Sequence, residues 1–226
     1  DGPGYAENCT SIMVGRLAST DGSVMTSHTC DGRYRTWLEV VPAMRFARDT
    51  VHHVYWGTLQ TEAAWDMTNV THKGEIPEVK STYAFLSTAY PCLNEKQLAI
   101  GETTIYGRRE LINTDGLFLI EELEKIALQR CTTARQAIAL IGSLAEQYGY
   151  GDMAECITIA DPKEVWQLEI AGSGPGKPSS LWVAQRIPDD HVGIAASIPR
   201  VSDVKVNDPA QFMTSGARRR RARDWG

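Results

Sequence analysis

Residues 9–32 read CTSIMVGRLASTDGSVMTSHTCDG. Two short apolar runs, Cys9 to Arg16 and Val24 to Thr29, flank Ala18-Ser19-Thr20-Asp21-Gly22-Ser23, a dense run of turn residues around an Asp-Gly pair. Asp-Gly tolerates the positive φ angles of a tight turn, so the segment predicts a β-hairpin. A hairpin of this length brings its two ends together. Cys9 opens the outgoing strand and Thr29-Cys30-Asp31-Gly32 closes the returning one, which sets a thiol and a carboxylate at one end of a sheet. A free cysteine is by default a small buried hydrophobe; the expected nearness of Asp31 is what makes Cys9 a chemical candidate.

Outward from the hairpin, Arg35 to Val41 predicts a third strand, ended by Pro42. Residues 57–80 are polar and irregular and read as a long loop at the edge of a cleft, with Trp56 and Trp65 as candidates for stacking on a substrate. Ser81 to Ala89 and Gln97 to Ile105 read as strands either side of an Asn94-Glu95-Lys96 turn. The periodicity then changes. Leu117, Ile120, Leu123, Ile126 and Ala127 recur at helical spacing, with Asn113 or Thr114 as cap. Ala134, Ala137, Ile138, Ile141, Leu144 and Ala145 mark a second helix, with Thr132 or Thr133 as cap and Gly149 as stop. Four strands follow, over Cys156 to Ala160, Glu164 to Ile170, Leu181 to Ile187 and His191 to Ser197.

Gly172 to Pro178 is a loop, because no helix follows and the Gly-Lys-Ser/Thr ending of a phosphate loop is missing. Glu121, Glu122 and Glu124 read as the wet face of the first helix. Strands, two consecutive helices, then strands predicts an α+β fold with antiparallel sheets rather than an alternating βαβ chain.

At 226 residues, with 42% hydrophobic and 23% charged residues, the chain is long enough for one substantial domain. It has no run of about 18 apolar residues, so no membrane-spanning helix is expected. The net charge is −5; residues 218–226 hold five arginines and one aspartate, a net +4, which leaves −9 for the rest. So acidic a body argues against nucleic acid as a partner. Among five cysteines there is no CxxC pair, and the one adjacent histidine pair, His52-His53, would point to opposite faces of a strand. Neither a metal nor another cofactor is expected.

Five collinear blocks between Cys9 and Asp203 carry a resemblance: Cys9–Gly32, GETTIYGRREL (Gly101–Leu111), EELEKIALQRCTTARQAIALI, YGYGDMAECITIADPKEVWQLEI and WVAQRIPDDHVGIAASIPRVSD. Together they resemble the dipeptidases of the N-terminal-nucleophile cysteine hydrolases, relatives of penicillin V acylase and bile salt hydrolase. The resemblance implies an αββα sandwich, two antiparallel sheets between helical layers, incomplete at its C-terminal end because full family members are longer. It divides the chain into a propeptide or leader remnant (1–8), the hydrolase-like domain (9–205) and an Arg-rich tail (206–226).

The resemblance also implies a mechanism. Cleavage at Asn8–Cys9 would leave Cys9 N-terminal, with its own α-amine, of pKa about 7.7–8.0, as the base. Asp31 matches the aspartate that receives that amine. His28 stands where relatives carry an arginine, Thr103 or Thr104 where they place an oxyanion donor, and Ser197 and Arg200 where an asparagine and an arginine are expected. Cys30 is expected to be structural. The implied substrate is a dipeptide or short peptide, its free amine met by Asp31 or Glu102, with Thr103, Trp56 and Trp65 as further contacts. Association into a homo-oligomer stays open. Two other readings stand beside this one: a non-catalytic peptide-binding homologue or truncated inactive fragment, because His28 and Ser197 depart from the pattern and the chain is short, and an amidase on N-acyl substrates.

Overall fold

The computed structural model describes residues 9–32, 34, 37–60, 66–176 and 178–216. The opening segment forms the hairpin that its turn predicts. β1 (Thr10–Val14) pairs antiparallel with β2 (Met25–Thr29), Thr10 opposite Thr29, and Gly22 holds a φ of 78° in the turn. The strands that follow are β3 (Glu39–Val41), β4 (Val51–Trp56), β5 (Thr71–Pro77), β6 (Phe85–Ser87), β7 (Leu93–Asn94) and β8 (Ala99–Ile105). Helices α1 (Ile120–Arg130) and α2 (Ala134–Tyr148) come next. Strands β9 (Ala154–Ala160), β10 (Val165–Gly172), β11 (Ser180–Ile187), β12 (Val192–Ala195) and β13 (Phe212–Thr214) complete the described chain.

Among the described residues three sheets result, all with antiparallel pairing. The largest runs β13-β11-β10-β9-β8-β7-β6-β3, a smaller one runs β12-β1-β2, and β4 pairs with β5 alone. In β9 every residue is buried, because both faces of the large sheet are covered there. Ile157 and Ile159 project toward the helices, joining Leu123, Ile126, Ile138, Ile141 and Trp166. Cys156 and Ala160 project the other way, joining Met13 of β1 and Ala195 of β12. The β1–β2 hairpin is thereby fixed against β8 and β9 by apolar packing, each fully buried aliphatic side chain contributing about 1.5–3 kcal/mol.

Helix α2 starts as expected, Thr133 accepting a hydrogen bond from the Gln136 amide, and ends at Gly149. Helix α1 differs. Its N-cap position is Leu119, which makes no side-chain cap, while Asn113 accepts from the Asp115 amide in a turn of its own.

The fold corrects several further expectations. Within the described residues both helices lie on one face of the large sheet, so the second helical layer of the sandwich is not present there. The outer face of the small sheet instead shows Ile12, Met25, Val192 and Ile194 to solvent. Residues 57–80 are not one long loop: β5 lies within them and pairs with β4 through a bulge at Val54/Tyr55. β5 has only Ile76 buried, so it lacks the apolar alternation by which a strand is read. The strand over Ser81 to Ala89 shrinks to Phe85–Ser87, because Thr82 is used to accept a hydrogen bond from the Met44 amide. Within 206–226, β13 adds to the large sheet beside β11, so folded chain runs past residue 205. The Arg-rich run itself lies outside the described residues. Among those described, no helix is long and apolar enough to cross a membrane.

Candidate active site

Strand β7 pairs with β8 at Leu93 and Ala99, where the β8 edge then loses its partner on that side. The open end of the β1–β2 hairpin settles near this edge. Cys9, 6% exposed, places its Sγ 3.6 Å from Cys30 Sγ. The backbone amides of Asp31 and Thr104 also face the Cys9 sulfur. The Cys30 bond is the strongest influence, and with the two amides it lowers the Cys9 thiol to about 7 against the opposing effects of burial and of Glu102. Cys30 moves the other way. Its bond to Cys9, burial and Glu102, whose Oε2 stands 4.0 Å from its sulfur, push its pKa far up. With Cys9 lowered and Cys30 raised, Cys9 is the thiol of the pair that ionises first. The Cys9 backbone nitrogen donates to Ser197 Oγ at 3.3 Å. Ser197 sits in the left-handed region at φ 51°, a local cost of about 1–3 kcal/mol of the kind found at functional sites.

The other sequence candidates separate by strand face. Glu102 and Thr104 project from β8 toward the helices; Gly101 and Thr103 project toward the small sheet. Thr103 Oγ1 is bonded to Ser11 Oγ between the sheets, which takes it away from a substrate. Glu102 is fully buried, accepting from Thr104 Oγ1 at 3.1 Å, and is a support for the thiols rather than an open carboxylate. His28 packs on Gly101 so closely that a Cβ there would stand 2.5 Å from its Nδ1. Burial lowers the His28 pKa, with Glu102 partly offsetting it, so at neutral pH it does not supply the charge of an arginine. Asp31 is exposed and brings its backbone amide to the sulfur. Arg200 is also exposed; its amide, with that of Val201, binds Glu169 Oε1. Asn8 and Trp65 lie outside the described residues.

Thr104 and Tyr34, which bond to Cys9 and Cys30, border a cleft of about 400 Å³. Trp56, Tyr34 and Tyr90 wall it, Trp56 being fixed by a bond from Nε1 to the Leu117 carbonyl and by Lys73 Nζ 3.8 Å from its ring centre. Thr104 borders the cleft, and three carboxylates line it: Glu121, Asp152 and Glu155. Burial raises all three, Glu121 to about 8.

The carboxylates of α1 are thus no wet face. Glu121 lines the cleft, Glu122 is bonded to His52 Nε2 at 2.7 Å and to Lys125, and Glu124 is buried with neither oxygen partnered. Helix α1 is covered on that side by the β4–β5 hairpin, of which β5 falls within the expected loop 57–80. His52 and His53 do point opposite ways, His52 inward between Glu78 and Glu122. His53 faces outward with His72 and Glu75, and those three offer ligand atoms within 4.8 Å of one another, as do Cys9, Cys30 and Glu102.

An α+β scaffold that holds one cysteine with its thiol lowered to about 7, close to an acidic cleft, is an arrangement suited to a thiol nucleophile. Residues 8–221 match the model of Peptidase family C69, and the chain belongs to that family. It is 28% identical over 222 residues to a probable dipeptidase of Latilactobacillus sakei, covering 92% of this chain and 43% of that protein. To a probable dipeptidase of Salmonella dublin it is 26% identical over 232 residues, covering 95% of this chain and 48% of the relative. Dipeptidase A of Lactobacillus helveticus is 24% identical over 214 residues, covering 92% and 44%. The chain spans less than half the length of these relatives.

Proposed function

We propose that the protein hydrolyses dipeptides and other short peptides with Cys9 as nucleophile, on an N-terminal-nucleophile fold. Once the bond after Asn8 is cut, the freed α-amine of Cys9 is the base. The Cys9 thiolate attacks the scissile carbonyl carbon, forming a C–S bond and an oxyanion. The amides of Thr104 and Asp31, already turned toward the sulfur, are the nearest fixed donors for that oxyanion. Collapse breaks the C–N bond, and the protonated amine returns its proton to the leaving nitrogen. Water then attacks the thioester, the amine taking its proton, and the acid leaves with Cys9 restored. Ser197 Oγ, beside the Cys9 nitrogen, orients the amine in the role expected of Asp31. The names of the relatives support the substrate class.

The observation that carries this reading is the setting of Cys9, whose Sγ lies 3.6 Å from Cys30 Sγ and whose backbone nitrogen meets Ser197 Oγ at 3.3 Å. Iodoacetamide should alkylate Cys9 with a pH midpoint near 7, dipeptide hydrolysis falling in step with modification. In Cys30→Ala the midpoint should move up toward the ordinary thiol value of 9.0. A wild-type midpoint already at that value, or turnover that survives full alkylation of Cys9, would remove the nucleophile.

A further inference from the structure

We propose that Glu155, with Glu121 and Asp152, holds the free α-ammonium of the peptide substrate, which makes the cleft a site for N-terminally unblocked peptides. This rests on the assignment of Cys9 as nucleophile. Glu155 is 3% exposed and lines the cleft; its carboxyl is bonded to Glu102 and Thr104, while its Oε2 is left without a hydrogen-bond partner. Glu121 and Asp152 line the same cleft, and Glu102 and Glu124 are buried behind it at 0% exposure. Among the described residues no lysine, arginine or histidine forms an ion pair with any of these five. Among the same residues, the lysines nearest the cleft are engaged elsewhere: Lys125 Nζ is bonded to Glu122, and Lys73 Nζ to the Thr114 carbonyl over the Trp56 ring.

Buried carboxylates without a counter-charge are costly, and the usual remedies are a proton or a cation. A primary ammonium supplies one positive charge and three donors, and the low dielectric that penalises the bare carboxylates strengthens its attraction to them.

Position agrees with chemistry. In a dipeptide the terminal nitrogen lies about 2.5 Å from the scissile carbonyl carbon, by ordinary N–Cα–C geometry. The group that binds it must therefore border the nucleophile. Glu155 is the cross-strand partner of Thr104, whose amide faces the Cys9 sulfur, and adjacent strands are only about 4.8 Å apart. N-acylation would remove the charge and leave Glu155 Oε2 unpaired, so a blocked peptide is rejected and the cleft does not suit an amidase of N-acyl substrates.

The test uses the processed full chain, a dipeptide and its N-acetyl form, with two readouts: kcat/KM, and protection of Cys9 from iodoacetamide, which needs no turnover. The wild type should favour the free dipeptide by about 100-fold or more in both. Glu155→Gln should lose about 100-fold on the free dipeptide, chiefly in KM, with little change on the N-acetyl form and an unchanged alkylation midpoint. Glu121→Gln should do the same more weakly, and melting curves check that both variants fold. Equal protection by the two peptides in the wild type, or full discrimination kept by folded Glu155→Gln, overturns the subsite. Turnover that persists after Cys9 is alkylated overturns the nucleophile instead, and leaves the discrimination readable.

Discussion

Cys9→Ala should lose dipeptide hydrolysis by about 10⁴-fold or more in kcat, with the fold intact. The expectation follows from the opposite shifts of the two cysteines. Only Cys9 has its thiolate favoured, by Cys30 and by the Asp31 and Thr104 amides. Cys30 is driven to keep its proton and cannot substitute. Removing one buried sulfur leaves a small void, a loss of about 1 kcal/mol, so melting should move by a few degrees at most. The residual rate in Cys9→Ala then measures what the cleft and its donors achieve by binding alone. If Cys9→Ala kept more than a tenth of wild-type turnover, another group would have to be the nucleophile.

Glu124→Gln should make the protein more stable, by an amount that grows with pH. Glu124 is fully buried with both oxygens unpartnered, and burial first, then Glu102 and Glu121, raises its pKa well above 4.5. The folded state therefore keeps the Glu124 proton at pH values where the unfolded chain has released it. With more protons bound in the folded state, stability falls as pH rises from the unfolded value toward the folded one, by about 1.4 kcal/mol per pH unit. Glutamine has no proton to lose, so the variant lacks this slope. Urea melts should show wild type and Glu124→Gln closer together at pH 5 than at pH 7, the variant gaining on the wild type as pH rises. The same separation at both pH values would mean that Glu124 is solvated or paired.

Both predictions depend on groups that the sequence revealed unequally. The hairpin was readable because Asp21-Gly22 marks its turn and the turn decides where Cys9 and Cys30 meet. Helix α2 was readable because its apolar period, Thr133 and Gly149 agree. Strand β5 was not, because a half-exposed edge hairpin has little apolar signal, and without it the cover over α1 was missed. Glu124 did carry a sign: it lies four residues after Ile120 and four before Leu128, on their apolar face rather than opposite it.

Cys30 and Ser197 could not be ranked from sequence. The first acts through a sulfur contact across the hairpin mouth, and the second through a partner 188 positions away. Asp31 is expected for its carboxylate, and its backbone amide also faces the sulfur, a contact no sequence pattern signals. Thr103 and Thr104 were indistinguishable as neighbours until the β8–β9 register put them on opposite faces.

A base made from the nucleophile's own nitrogen requires that no peptide bond precede Cys9. Intact-mass measurement of the purified protein, with turnover assayed on the same sample, tests this most directly. Active material should begin at Cys9, and any fraction retaining Asn8 should be inert until cleaved. Full turnover from protein that still carries residues ahead of Cys9 would contradict the account.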